Sequence, residues 1–263
     1  MLIDIGVNLT GSSFKNDLDD VIQRARDVGV GRMVVTGTDI EHSRQALQLC
    51  ESYPGVLYAT AGVHPHHAKD CDQQTLEQIR RLAAAEAVVA AGECGLDFNR
   101  NFSPPDVQCH WFEAQLELAA ALQMPVFLHE RDAHDRFLAI IARWRDRLPA
   151  AVVHCFTGNA EQARAYMDLD LYIGVTGWIC DERRGADLQQ AVRVIADDRL
   201  MLETDAPYLL PRDLKPQPGD RRNEPMYLPH VCRAVARYRE QDEQQLAART
   251  TANACRFFNL PCD

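Results

Sequence analysis

Apolar residues in this chain come in short runs that end in a polar or acidic residue and give way to a helical period. Short continuous apolar runs are the pattern of parallel strands buried on both faces, and a 3.6-residue period is that of the helices covering them. The runs fall at 1–7, 32–36, 56–61, 88–91, 125–128, 151–153, 171–175 and 200–202. Helical patterns separate them at 17–28, 39–50, 72–84, 106–122, 132–145 and 185–195, with a further helix opened by Asn159 and Gln162. Asn16 or Asp17 can cap the first helix, and Gly29 lies just past its end. Ser103-Pro104-Pro105-Asp106 reads as a helix start, with a capping serine, a proline at the first helical position and an acid in the first turn. Two more helices, 225–238 and 242–258, finish the chain. Eight strand–helix units in this length predict an α/β fold, a TIM (β/α)8-type barrel with additional C-terminal helices, in a single domain over 1–263. A doubly wound open sheet is the competing arrangement, but the first strand–helix turn lacks G-x-G-x-x-G.

The ends of the runs carry the chemistry. Glu93, His129, His154 and Asp205 each sit at or just past the end of a different run. In a barrel those ends share one mouth, so two imidazoles and one or two carboxylates converge on a divalent-metal or catalytic site. A lone histidine at a strand end is more often a hydrogen-bonded core residue, but four ligand-type residues in register with four strands point to a metal or catalytic site. Glu93 is followed by Gly95, Asp97, Phe98 and Arg100, which read as a loop. His64 ends the third run and suits a ligand, a substrate donor or a structural cap. His66 and His67 read as loop residues.

Arginines gather in the loops after the runs: Arg100, Arg131, Arg183, Arg184, Arg212, Arg221 and Arg222. Guanidinium groups bind phosphate in bidentate fashion. Phe98, Phe102, Trp178 and Tyr208 share those loops and suit stacking on unpaired bases. The net charge of −10 argues against broad, charge-driven binding of nucleic acid and leaves a local basic groove as the way to hold it. The nine cysteines form no C-x-x-C pair, so free thiols in a reducing, cytoplasmic setting are expected. No apolar run is long enough for a bilayer, and the first residues lack the basic region of a signal peptide. No feature demands an oligomer, so a monomer is expected.

These residues resemble the TatD family of metal-dependent deoxyribonucleases, within the amidohydrolase-like barrel superfamily. The matching motifs are GVHPH (62–66), GECGLDF (92–98), PVFLHERDA (125–133), HCFTG (154–158), IGVTGW (173–178), LETDAPYL (202–209) and RRNEP (221–225), spread over nearly the whole chain. The resemblance implies a 3′–5′ exonuclease that hydrolyses phosphodiesters of single-stranded DNA and RNA with a divalent metal, usually Mg²⁺, with a role in repair of oxidative DNA damage. It implies Glu93, His129 and His154 as metal ligands, Asp205 as ligand or general base, and His64 with the loop arginines as the phosphate-binding region. Most relatives open with D-x-H-x-H. Here Asp4-Ile5-Gly6-Val7-Asn8 replaces both histidines, which leaves the number of metals open and offers only the Asn8 amide oxygen. Two imidazoles favour Zn²⁺, Mn²⁺ or Fe²⁺ over Mg²⁺, which prefers oxygen ligands and water. Hydrolysis of a small ester or amide, or of D-aminoacyl-tRNA, on the same metal barrel is the alternative activity, and a non-catalytic binding protein on a degenerate barrel is the third.

Overall fold

The computed structural model describes residues 1–261. Its strands are β1 (Leu2–Val7), β2 (Val30–Val35), β3 (Leu57–Ala61), β4 (Val88–Asp97), β5 (Val126–Arg131), β6 (Ala151–Val153), β7 (Tyr172–Val175) and β8 (Leu200–Leu202). They lie side by side in the order β1-β2-β3-β4-β5-β6-β7-β8, which is chain order. A parallel bridge between Val7 and Ala206 joins the end of β1 to the segment after β8. The α/β fold is thus of the (β/α)8 barrel class, as the alternation of runs predicts. The apolar runs are strands because both of their faces are covered: β1, β6, β7 and β8 are buried at every position.

The helices are α1 (Leu18–Asp27), α2 (Ile40–Ser52), α3 (Gln73–Leu82), α4 (Pro105–Leu122), α5 (His134–Trp144), α6 (Ala160–Asp168), α7 (Ala186–Ala191), α8 (Leu228–Arg239) and α9 (Glu243–Phe258). The chain divides into two compact units. One comprises residues 1–35, 155–168 and 173 onward; the other comprises 36–154 and 169–172.

Several local expectations are corrected. The α4 start is not capped by serine: Pro104 holds the cap position without a side-chain bond, and Pro105 begins the helix. The Ser103 hydroxyl instead donates to the His66 carbonyl and accepts from the Lys69 amide. Asp17 stands at the cap of α1 without bonding its amides. The helix expected over 185–195 spans only Ala186–Ala191. Asn159 does cap α6, accepting from the amides of Glu161 and Gln162 while the Gln162 side chain accepts from Asn159. Seven cysteines (50, 71, 94, 109, 155, 180 and 232) carry no disulfide, but Cys255 is disulfide-bonded, against the expectation of free thiols alone; Cys262 lies outside the described residues. Among the described residues no helix is long and apolar enough to cross a membrane.

Candidate active site

Strand β4 carries Glu93, in the second unit, and presents it through an irregularity. Gly92 pairs with Phe127 of β5 and Cys94 with Leu128, so Glu93 is one residue extra on its own strand. Gly92 and Gly95 have φ of +134° and +146°, a region L side chains rarely adopt. A Cβ on Gly92 would run into the Phe127 carbonyl oxygen, and one on Gly95 into that of His129. Of the segment after Glu93 that reads as a loop, the part through Asp97 is strand, while Phe98 and Arg100 lie in the turn that follows; the glycines are what let the strand bulge while pressed against β5.

One oxygen of Glu93, Oε1, is ringed by imidazoles. His129 Nδ1 lies 2.8 Å away, His154 Nε2 2.6 Å and His64 Nε2 3.5 Å. Glu93, His64 and His154 are buried. Burial alone raises the Glu93 carboxyl, but His154, His64 and His129 outweigh it and hold the group well below the usual carboxylate range. Burial drives the His64 imidazole well below its ordinary value. The His129 imidazole is raised: burial opposes its charge, but Asp97 and Glu93 beside it prevail.

The geometry adds two residues that the sequence pattern assigns to loops. His66 Nε2 is 2.6 Å from Asp97 Oδ2, and His129 Nε2 is 3.6 Å from the same oxygen. Asp97 is buried, at the end of β4, and burial opposes its ionised form. His129, with the Arg100 amide and His66, overcomes this and sets the carboxyl far down. His66 lies on a short 3-10 turn, Pro65–Asp70, for which the His64 side chain is the cap. The hint in the sequence is the spacing of Asp97 four residues past Glu93, which counts only if the segment is strand rather than loop.

The donor set fits a divalent cation. Glu93, His64 and His129 each offer an atom within 4.8 Å of the others, and His129 Nε2 is buried with no hydrogen-bond partner. Two buried glutamines on α4, one heptad apart on one helix face, hold the backbone around this set. Gln115 accepts from the Val63 amide and donates to the Val63 carbonyl, next to His64. Gln108 does the same for Asp97 and also donates to the Ser103 carbonyl. Gln on an otherwise apolar helix face is the available signal for both.

The first unit holds Asp205 just past β8. Its amide donates to the Gly6 carbonyl, and Asn8 Nδ2 donates to its Oδ1 at 2.9 Å. Asn8 thus presents its amide nitrogen to Asp205, a correction to the expectation of an amide oxygen offered to a metal. Asp4 of the same motif is buried, accepting from the amide and hydroxyl of Thr204 at 2.9 and 2.6 Å. Burial pushes its carboxyl well above the usual range against those bonds.

The expected phosphate-binding arginines fall into separate settings. Arg100 is exposed, and its amide bonds Asp97. Arg131 ends β5, with Nε 3.9 Å from Asp132. Arg184 bonds Asp181 and lies over the Trp178 ring at 4.3 Å; Arg183 and Arg212 each approach Asp181 to 3.8 Å. Trp178, Asp181, Arg184, Arg212 and Arg221 line a cavity of about 230 Å³ in the first unit. Arg222 bonds Asp17 and Glu224 and is committed to an ion-pair clasp. Among the described residues, the exposed large aromatic side chains are Phe102 and Tyr208, both of them in the set suited to stacking.

Known proteins resemble this chain along its whole length. The model of the TatD related DNase family matches residues 3–259. The chain is 54% identical, over 99% of its length and all of the relative's, to the 3′-5′ ssDNA/RNA exonuclease TatD of Erwinia billingiae. It is 54% identical to the protein of the same name from Citrobacter rodentium, over 98% of each. It superposes on the crystal structure of YJJV, a TatD homologue from Escherichia coli K12, with a TM-score of 0.88 and 32% identity over 99% and 98% of the two chains. With its motifs in order along the whole chain and the Glu93 cluster assembled, this protein belongs to the TatD related DNase family.

Proposed function

We propose that this chain is a metal-dependent hydrolase of phosphodiesters, a 3′–5′ exonuclease for single-stranded DNA and RNA. The observation that carries the reading is a buried carboxylate oxygen ringed by three imidazoles, in a chain 54% identical over its full length to relatives named for that activity. Glu93, His129 and His154 hold the cation, with His64 beside them. When bound, a divalent ion supplies Lewis acidity and lowers the pKa of water. Mg²⁺ is the working ion of the proposal, with Mn²⁺ or Zn²⁺ able to occupy so imidazole-rich a set.

Glu93 stays ionised across the physiological range, because the histidines around it outweigh its burial. The Asp97 carboxylate, 3.6 Å from His129 Nε2, supplies negative charge beside that ring. Asp205 takes the proton of the attacking water as general base, and the Asn8 amide fixes the orientation of its carboxylate. Arg100, Arg131, Arg183, Arg184 and Arg212 position the phosphate backbone, which carries no sequence information, while Phe102 and Tyr208 stack on bases. Arg222 reaches the strand only if its clasp opens. The enzyme acts as a cytoplasmic monomer, and repair of oxidative DNA damage is the proposed setting.

A time course on a 5′-labelled single-stranded oligonucleotide, with Mg²⁺ or EDTA, tests the reading. Wild type shortens the strand from its 3′ end, while EDTA and Glu93→Ala abolish shortening. Asp205→Ala lowers turnover about 10²–10⁴-fold, the usual share of a general base. Wild-type turnover in Asp205→Ala removes that residue from the mechanism, and no cleavage with any divalent ion removes the nuclease.

A further inference from the structure

We infer that Cys180, Asp213 and His230 form a second cation site, of the tetrahedral zinc class, built from none of the residues of the Glu93 cluster. Cys180 ends the 3-10 turn Gly177–Cys180 that follows β7. Asp213 lies in the long loop after β8, and His230 in the first turn of α8. One donor atom from each lies within 4.8 Å of the other two, and His230 Nε2 is 2.7 Å from Asp213 Oδ1.

The chemistry of the set selects the ion. A thiolate, an imidazole and a carboxylate are the ligands Zn²⁺ takes, whereas Mg²⁺ and Ca²⁺ avoid sulfur. One thiolate and one carboxylate also balance a divalent charge. In a tetrahedral site with ordinary Zn–S, Zn–N and Zn–O bonds the donors stand about 3.3–3.8 Å apart, so shifts on the order of 1 Å close the set. Exposure is graded to admit an ion: Cys180 is 4% exposed at the base, while the His230 and Asp213 side chains are 22% and 37% exposed at the rim.

A nucleophilic reading of the same three residues fails. Burial, with Asp213 beside it, pushes the Cys180 thiol far up, so the group is protonated and inert until a cation displaces its proton. Binding is balanced as one thiol plus one divalent ion giving one metal thiolate and one released proton.

The position of the set gives the cation a task. Cys180 adjoins Asp181, and Asp213 adjoins Arg212; Asp181, Arg212, Trp178 and Arg184 line the cationic cavity described above. A cation held by Cys180, Asp213 and His230 ties the loops after β7 and β8 to α8, and so staples the walls of that cavity.

The test is titration of the metal-stripped full-length protein with Co²⁺, read by thiolate-to-cobalt charge-transfer absorption. Expected is a thiolate band in wild type that Zn²⁺ bleaches, that is lost in Cys180→Ser, and that persists in His129→Ala, where the Glu93 cluster is broken. No thiolate band at saturating Co²⁺, or an undiminished band in Cys180→Ser, overturns the site. Should Cys180→Ser fail to fold, His230→Ala decides. Its Co²⁺ affinity, read from the thiolate band, falls by more than about tenfold, as loss of even an outer partner of a metal ligand does; unchanged affinity overturns the proposal.

Discussion

At the scale of single residues, the candidate active site rests on groups that touch no ligand. Gln108 and Gln115 each close two hydrogen bonds on the backbone beside a site residue, from a helix face that is otherwise apolar. Leucine at either position leaves a buried amide and carbonyl without partners, which costs about 1–3 kcal/mol per unsatisfied group. Gln115→Leu is expected to lower the urea midpoint and weaken Mn²⁺ binding, because Val63 adjoins His64. An isothermal titration showing wild-type affinity in a folded Gln115→Leu protein would refute that positioning role. His66 and Asp97 make a related point: each is an ordinary polar residue until the fold sets their side chains 2.6 Å apart.

Among elements, the bulge in β4 and the clasp on α1 each turn a local feature into a structural constraint. Gly95→Ala forces a side chain onto the His129 carbonyl at a φ of +146°, so strand β5 must move or the alanine must strain. Strain of this kind costs about 1–3 kcal/mol. The variant is expected to lose both stability and nuclease turnover, measured by thermal unfolding and oligonucleotide decay. The clasp joins Asp17, ahead of α1, to Arg222 and, through Arg24 of α1, to Glu224. Hydrogen bonding from Arg222, with help from Arg24 and against burial, lowers the Asp17 carboxyl to about 2. Its folded value is thus below its unfolded one, so the stabilisation is complete above about pH 4 and is lost as pH falls toward 2. Asp17→Asn is expected to lower the urea midpoint at pH 7 and to matter progressively less below pH 4. A midpoint difference that stays constant from pH 7 to 2.5 would sink this account.

For the whole molecule, ion binding and folding are linked. Any cation that binds the folded chain and not the unfolded one adds about 2.7 kcal/mol at a hundred times its Kd. For a chain of this size that is a rise of roughly 5–10 °C in Tm. Excess Mn²⁺ is expected to raise the Tm of wild type by that amount over EDTA and to leave His129→Ala unmoved by calorimetry. A net charge of −10 works in the same direction, since it disfavours nucleic acid everywhere except where arginines gather.

The sequence by itself determined the number, order and class of the strands, because burial on both faces leaves no other pattern than short apolar runs. It also determined that Glu93, His129 and His154 end or follow such runs, since a strand end is a local property. Boundaries moved where local signals compete: the proline pair ahead of α4 sets its start, and Ser103 turns to His66 instead. Only the tertiary structure decided which side chains share an oxygen, that β4 bulges at Glu93, and that Arg222 spends its charge on Asp17 and Glu224. It alone gathered Cys180, Asp213 and His230 from three elements. The physical reason is the same in each case: periodicity reports what faces the core, whereas contact between distant side chains depends on strand register and on close approach of backbones, which no local pattern encodes.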